Sequence, residues 1–179
     1  MFVVLLFSSC AGGPGRVSDN PAQSETAVSH YNAGISYAEK GDYDRAIAEF
    51  SAAIRLNPDY AKAYNGRGIT YAEKGDYDRA IADCNEAIRL NPDYAEAYYN
   101  RGLAYAMTGD YNKAIADFNK VIRLNPNDAE AYYNRGGTYA MKGDYDRARA
   151  DWEKVVQLDP NNAGASARQN LEVLREMGY

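Results

Sequence analysis

Few side chains in this sequence could carry out bond chemistry. It holds one histidine, His30, and two cysteines, Cys10 and Cys84. No Ser/His/Asp or Cys/His set can be assembled around a single imidazole, and no glycine-rich loop has the spacing that cradles a phosphate. No catalytic residue is therefore assigned and no cofactor is expected. The acidic pairs Asp42/Asp44, Asp76/Asp78 and Asp144/Asp146 are the wrong kind of cluster for calcium, because each recurs just where a helix should start. There a carboxylate caps the free backbone N–H groups and favours the helix dipole. No metal ligand is assigned. Cys84 stands where equivalent positions hold Phe50, Phe118 and Trp152, which makes it a small core residue. His30 likewise falls at the place of core tyrosines, so packing is expected of it rather than base catalysis. Arg67, Arg101 and Arg135 each lie sixteen residues before an aspartate, Asp83, Asp117 and Asp151. Two readings follow for them: a charge pair across a helix hairpin, or a basic stripe open to anionic ligands.

The elements that position these residues repeat. The triplet Gly-Asp-Tyr begins at Gly41, Gly75, Gly109 and Gly143, and a proline recurs at Pro58, Pro92, Pro126 and Pro160, a period of 34 residues. A period of that size marks an array of stacked units. Within one unit Tyr98, Gly102 and Tyr105 share a helix face at i, i+4, i+7, and Ala114, Phe118 and Val121 repeat the spacing. Gly109 is placed to end the first helix in a left-handed conformation, and Asp110 to cap the second. The second helix must stop at Asn125-Pro126, since proline drives its predecessor out of helical geometry. A lone helix hairpin cannot bury its apolar face, so each needs neighbours.

These landmarks resemble the tetratricopeptide repeat family. Its pattern reads Tyr64, Gly68, Tyr71, Ala80, Cys84, Ala87 and Pro92 in the second copy. The third reads Tyr98, Gly102, Tyr105, Ala114, Phe118, Val121 and Pro126, and the fourth Tyr132, Gly136, Tyr139, Ala148, Trp152, Val155 and Pro160. The first copy matches from Gly34 through Tyr37, Ala46, Phe50, Ala53 and Pro58, with His30 at the first aromatic place. The resemblance implies an all-α fold, an α-solenoid of four such hairpins, with repeats at 27–60, 61–94, 95–128 and 129–162. Residues 163–179 carry the stripe Ala163, Ala167, Leu171, Leu174 and Met177, as expected of a capping helix.

Ahead of the repeats, residues 1–9 are uncharged and largely apolar, and they end at Cys10, followed by Ala-Gly-Gly-Pro-Gly. The run is far too short to span a bilayer. It resembles a bacterial lipoprotein signal, cleaved before a cysteine that becomes acylated, although no Lys or Arg precedes Arg16 and Phe7 stands where leucine is usual. That makes Cys10 the candidate lipid attachment and 10–26, rich in Gly, Pro and Ser, a flexible linker. The other reading is a bare frayed terminus. A net charge of −5 argues against a nucleic-acid binder that works by neutralising phosphate.

The family's first helices line a concave groove that holds partner peptides. At the fifth and sixth places of those helices stand Tyr31-Asn32, Asn65-Gly66, Tyr99-Asn100 and Tyr133-Asn134. The resemblance thus implies a peptide-binding groove formed by Tyr31, Asn32, Asn65, Tyr99, Asn100, Tyr133 and Asn134. Asn supplies a donor and an acceptor for peptide backbone, and Tyr a rigid apolar area with a polar tip. The alternative is that these are only solvated polar residues. The Lys/Arg set with which other members clamp a C-terminal carboxylate is not matched, because the second place reads Val28, Lys62, Glu96 and Glu130. The expectation is a non-catalytic protein–protein interaction scaffold, lipid-anchored in a bacterial cell envelope. The rival expectations are a soluble cytoplasmic adaptor or chaperone, and a structural subunit that stacks end to end.

Overall fold

The computed structural model describes residues 21–179, so the signal segment, Cys10 and the expected linker up to residue 20 lie outside it. The described residues are all-α and fall into two compact units, one ending at Pro92 and the other running from Asp93 to Tyr179. The first holds α1 (Pro21–Glu39), α2 (Tyr43–Leu56), α3 (Ala61–Glu73) and α4 (Tyr77–Leu90). The second holds α5 (Ala95–Met107), α6 (Tyr111–Leu124), α7 (Ala129–Met141), α8 (Tyr145–Leu158) and α9 (Ala163–Glu176). Helix α1 begins at Pro21, so residues 21–26 are helical and not part of the linker expected to run to residue 26. Pro fits the first turn of a helix, where its missing N–H costs nothing.

Each hairpin turn is set by the last two of its three residues, a glycine and the aspartate after it. Gly143, at φ 83°, donates to the Ala140 carbonyl at 3.0 Å, and the next amide, Asp144, reaches back to Tyr139 at 2.9 Å. A side chain at that φ would strain against its own carbonyl, so glycine is required. Asp144 then caps α8, its carboxylate accepting from the Arg147 amide at 3.3 Å. Asp42 and Asp76 cap α2 and α4 in the same way. Asp110 departs from this: its carboxylate makes no cap bond and is drawn to the Lys113 ammonium at 2.7 Å.

In the first unit α1 packs on α2, α3 on α4, and α2 against α3. Phe50 of α2 is fully buried between two glycines of neighbouring helices: a Cβ on Gly34 or on Gly66 would come within 2.8 Å of its ring. Gly66 stands where the other copies have Asn, and in this copy the Phe50 ring fills the space that a side chain there would need. Cys84, buried at 1% exposure, fills the smaller space over Gly68.

The second unit repeats the scheme with Phe118 over Gly102 and Trp152 over Gly136. Helix α9 closes it. Ala167 and Leu174 join Trp152 and Val155 in one apolar cluster, with Leu171 and Val156 at its edge. Gly164 lets α9 approach α8, because a Cβ there would lie 2.2 Å from the Asp159 carbonyl. Met177, expected on the buried stripe, is instead beyond the end of α9 and 52% exposed. Arg149, where the sister positions have Ile, lies exposed beside Asp146 at 3.3 Å.

Two glycines should respond in opposite senses to alanine. Gly66→Ala drives a methyl into Phe50 and should cost about 1–3 kcal/mol. Gly137, in the interior of α7 with nothing near its missing Cβ, should gain about 0.5–1 kcal/mol from Gly137→Ala. Urea unfolding of both variants checks this, and a shared sign would contradict the packing assigned to Phe50.

Candidate functional site

The three arginines resolve first. Arg67 is bidentate to Asp83, at 2.7 and 2.8 Å, and its remaining arm donates to Ser51 on α2 at 2.9 Å. Arg135 does the same with Asp151, at 2.8 and 2.6 Å, and with Asn119 on α6 at 2.5 Å. Arg101 grips Asp117 with two bonds of 2.7 Å. Each guanidinium also lies over a tyrosine ring, Tyr64, Tyr98 or Tyr132, at 5.7, 5.4 and 5.2 Å. The aspartates are buried. Such groups cannot serve as an open stripe for anions, so the hairpin-pair reading holds. The first copy has Ala33 and Glu49 instead, and Glu49 is met by His30 at 2.6 Å. His30 is thus a half-exposed hydrogen-bond partner of Glu49 and not the packed core residue expected.

The tyrosines and asparagines of the expected groove divide between the two units. In the first, the Tyr31 ring packs 5.8 Å from Phe50 and 5.2 Å from Tyr60, whose hydroxyl burial pushes up to about 12. Asn32 is exposed, while Asn65 is buried at 5% exposure. In the second, Tyr99 meets Phe118 edge-on at 5.9 Å, and burial raises its hydroxyl well above the usual phenol range. Asn134 donates through Nδ2 to the Tyr99 hydroxyl and to the Glu130 carbonyl, both at 2.9 Å. Asn100 is buried at 9% exposure. Tyr133 accepts from Asn170 of α9 at its hydroxyl, 3.3 Å, and from Trp152 at its carbonyl, 3.2 Å.

Tyr31 and Tyr99 are packing residues, and Asn134 is a strut between α5 and α7. What the sequence reading missed is the face beside them. Glu96, Asn100, Leu103 and Met107 share one side of α5, and Glu130, Asn134, Gly137 and Met141 the matching side of α7. Met107 and Met141 are 50% and 49% exposed. The signal was available as the spacing i, i+4, i+7, i+11 from each glutamate, but periodicity alone does not tell an open face from a covered one.

Elsewhere the unit offers little. A depression of about 300 Å³ at the start of α8 is lined by Lys142, Asp144, Tyr145, Asp146 and Tyr179. Its charged groups are already engaged, Asp144 with Arg147, Asp146 with Arg149 and Lys142 with Asn112. Among the described residues no cluster of His, Cys, Asp or Glu could hold a metal ion, and no helix is long and apolar enough to cross a membrane.

Removing one member of a buried pair leaves the other charge unanswered. Arg135→Met should therefore cost about 3–5 kcal/mol, and Arg135→Met with Asp151→Leu much less than the two single changes together. A double-mutant cycle in urea measures it. A single-variant cost below about 1 kcal/mol would place the pair with ordinary surface bridges.

No curated protein matches the sequence significantly. Among solved structures, one titled crystal structure of MamA protein aligns with a TM-score of 0.72 at 28% identity, covering 86% of each chain. MamA residues 41 to the end from Desulfovibrio magneticus RS-1 aligns at 0.71 and 27%, covering 79% of this chain and 81% of that one. The second TPR domain of human RPAP3, solved in complex with the HSP70 peptide SGPTIEEVD, aligns at 0.63 and 28%, covering 65% of this chain and 97% of that one. Sequence models described as tetratricopeptide repeat match residues 31–95, 95–128 and 129–162. With the hairpin turns, the Gly-aromatic contacts and these matches in agreement, the chain belongs to the tetratricopeptide repeat family.

Proposed function

We propose that this protein is a non-catalytic scaffold that holds an extended peptide segment of a partner protein against its first helices. The observation that carries the reading is the open face of α5 and α7, where two half-exposed methionines stand at matched places. Exposed methionine is a flexible apolar surface suited to varied side chains. Beside it, Asn134 has both its N–H groups engaged, leaving its carbonyl oxygen to accept from a peptide amide. Tyr99, Asn100 and Tyr133 complete the frame in the second unit. Tyr31, Asn32 and Asn65 are the corresponding residues of the first, with Asn32 the one most open to a ligand. The RPAP3 domain shows that a structure of this kind can hold a short peptide.

The scaffold is tethered, in this reading, to a bacterial envelope membrane by lipid on Cys10. The support is the sequence at that cysteine, which lies outside the described residues. A second reading draws on a different observation. Val173 and Met177, four residues apart at the end of the chain, are 50% and 52% exposed, as a surface for stacking copies end to end would be. Light scattering over a range of concentrations separates the two, since stacking demands growth in mass.

A photo-crosslinking residue placed at Met141 tests the face directly. It should join one short segment of one partner, identified by mass spectrometry, several-fold more than the same residue at exposed Glu153 of α8. Equal yields from both positions would move the site elsewhere. For the anchor, mass spectrometry of the native mature protein should find a diacyl or triacyl group on an N-terminal Cys10. An intact Met1 on a chain recovered wholly from the soluble fraction would end the lipoprotein reading.

A further inference from the structure

Two carboxylates on the open face of the second unit lack a cation. Glu96 on α5 and Glu130 on α7 occupy the same place in successive first helices, both are half-buried, and neither has an ion-pair partner among the described residues. Other acids of this unit are engaged: Asp93 meets Lys120, Asp110 meets Lys113, Asp117 meets Arg101, Asp151 meets Arg135, and Asp128 caps α7 at the Ala131 amide, 2.9 Å. The cation on α9 at the corresponding face, Arg168, is turned to the Pro160 carbonyl at 2.9 Å. A glutamate in the first turn does favour the helix dipole, which accounts for its sign but gives no reason to bury it. The first unit has Val28 and Lys62 at these places, so the acid is particular to the second unit.

The geometry continues along the helices. Met107 and Met141 lie eleven residues beyond Glu96 and Glu130 on the same side. That distance is about 16 Å of helix. Glu130 is further marked by its surroundings, since burial and then the charge of Asp128 hold its carboxyl above the usual range. A bound cation would relieve both.

We propose that the second unit selects a cationic peptide segment, with Lys or Arg seated at Glu96 and Glu130 and an apolar side chain at Met107 and Met141, about five extended residues away. The inference rests on the peptide-binding reading above and specifies its occupant. Arginine would gain most, through two-point bonding to a carboxylate. An acidic segment would meet like charge on arrival and bind poorly.

The probe is a random library of twelve-residue displayed peptides, selected on the purified full chain. Selected sequences should be enriched about tenfold in Lys and Arg over Asp and Glu. An apolar residue should recur about five positions from the basic one. Glu96→Gln with Glu130→Gln, near-isosteric changes on half-exposed positions, should keep the melting temperature and lose the charge bias, and the charge-reversed Glu96→Lys, Glu130→Lys protein should prefer acidic sequences. Raising salt should weaken a selected cationic peptide on the native chain and leave it indifferent on the double Gln variant. Peptides selected with no charge preference, or a preference that survives both variants, would overturn the cationic assignment alone. Failure to select any peptide would overturn it together with the peptide-binding reading.

Discussion

The Arg–Asp pair is what closes the hairpins that carry it, and its guanidinium is also what reaches to a neighbouring helix inside each unit. A guanidinium has five donors in a fixed plane, and here the plane is used in two directions. Two donors of Arg67 close its own hairpin on Asp83, and a third crosses to Ser51 on the preceding hairpin. Arg135 does the same to Asp151 and Asn119. Desolvating an ion pair is costly, and the cost is met only where the remaining bonds are satisfied and the geometry is fixed. The tyrosine ring against each guanidinium supplies the rest of that fixed environment. Lysine could carry the charge but lacks the planar fork that grips a carboxylate at two points while a third donor reaches elsewhere, so it would not substitute here.

Much of this fold could be read in advance because its rules are local. Gly143 and Asp144 announce a turn through conformations that depend on their own chemistry, and Asn-Pro announces the stop. Phe50, Phe118 and Trp152 declare a core by recurring at one place. The Arg–Asp pairs were legible for the same reason, since a fixed separation of sixteen residues across a turn of known length puts two side chains abreast. Helix α1 was misjudged at its start because composition speaks to average behaviour, and a proline at the first turn can begin a helix in a polar stretch.

The candidate site was less legible, because it depends on which faces neighbours leave uncovered. Tyr99 and Asn134 have the composition of a peptide-binding surface, yet their hydroxyl and amide are bonded to each other. Gly66 looked like a gap in a binding motif and is a seat for Phe50. Conversely, Met107 and Met141 look like core residues by type, and only their exposure shows that no helix covers them. Recurrence in a repeat protein thus has two sources, packing and recognition, and residue type does not separate them.

The Gly-Asp turn has a mechanical corollary. The aspartate whose amide ends one helix is the same residue that starts the next, as Asp144 does between α7 and α8. No slack is left between the two helices of a hairpin, and a doubly bonded ion pair clamps them from the other side. The junctions inside a unit, where α2 meets α3 or α6 meets α7, are crossed by one guanidinium bond to a neutral oxygen and one exposed lysine contact each: Arg67 to Ser51 with Lys74 to Asp44, and Arg135 to Asn119 with Lys142 to Asn112. A pull on the chain would therefore be borne unequally: the hairpins act as stiff links, and the hinges between them yield first.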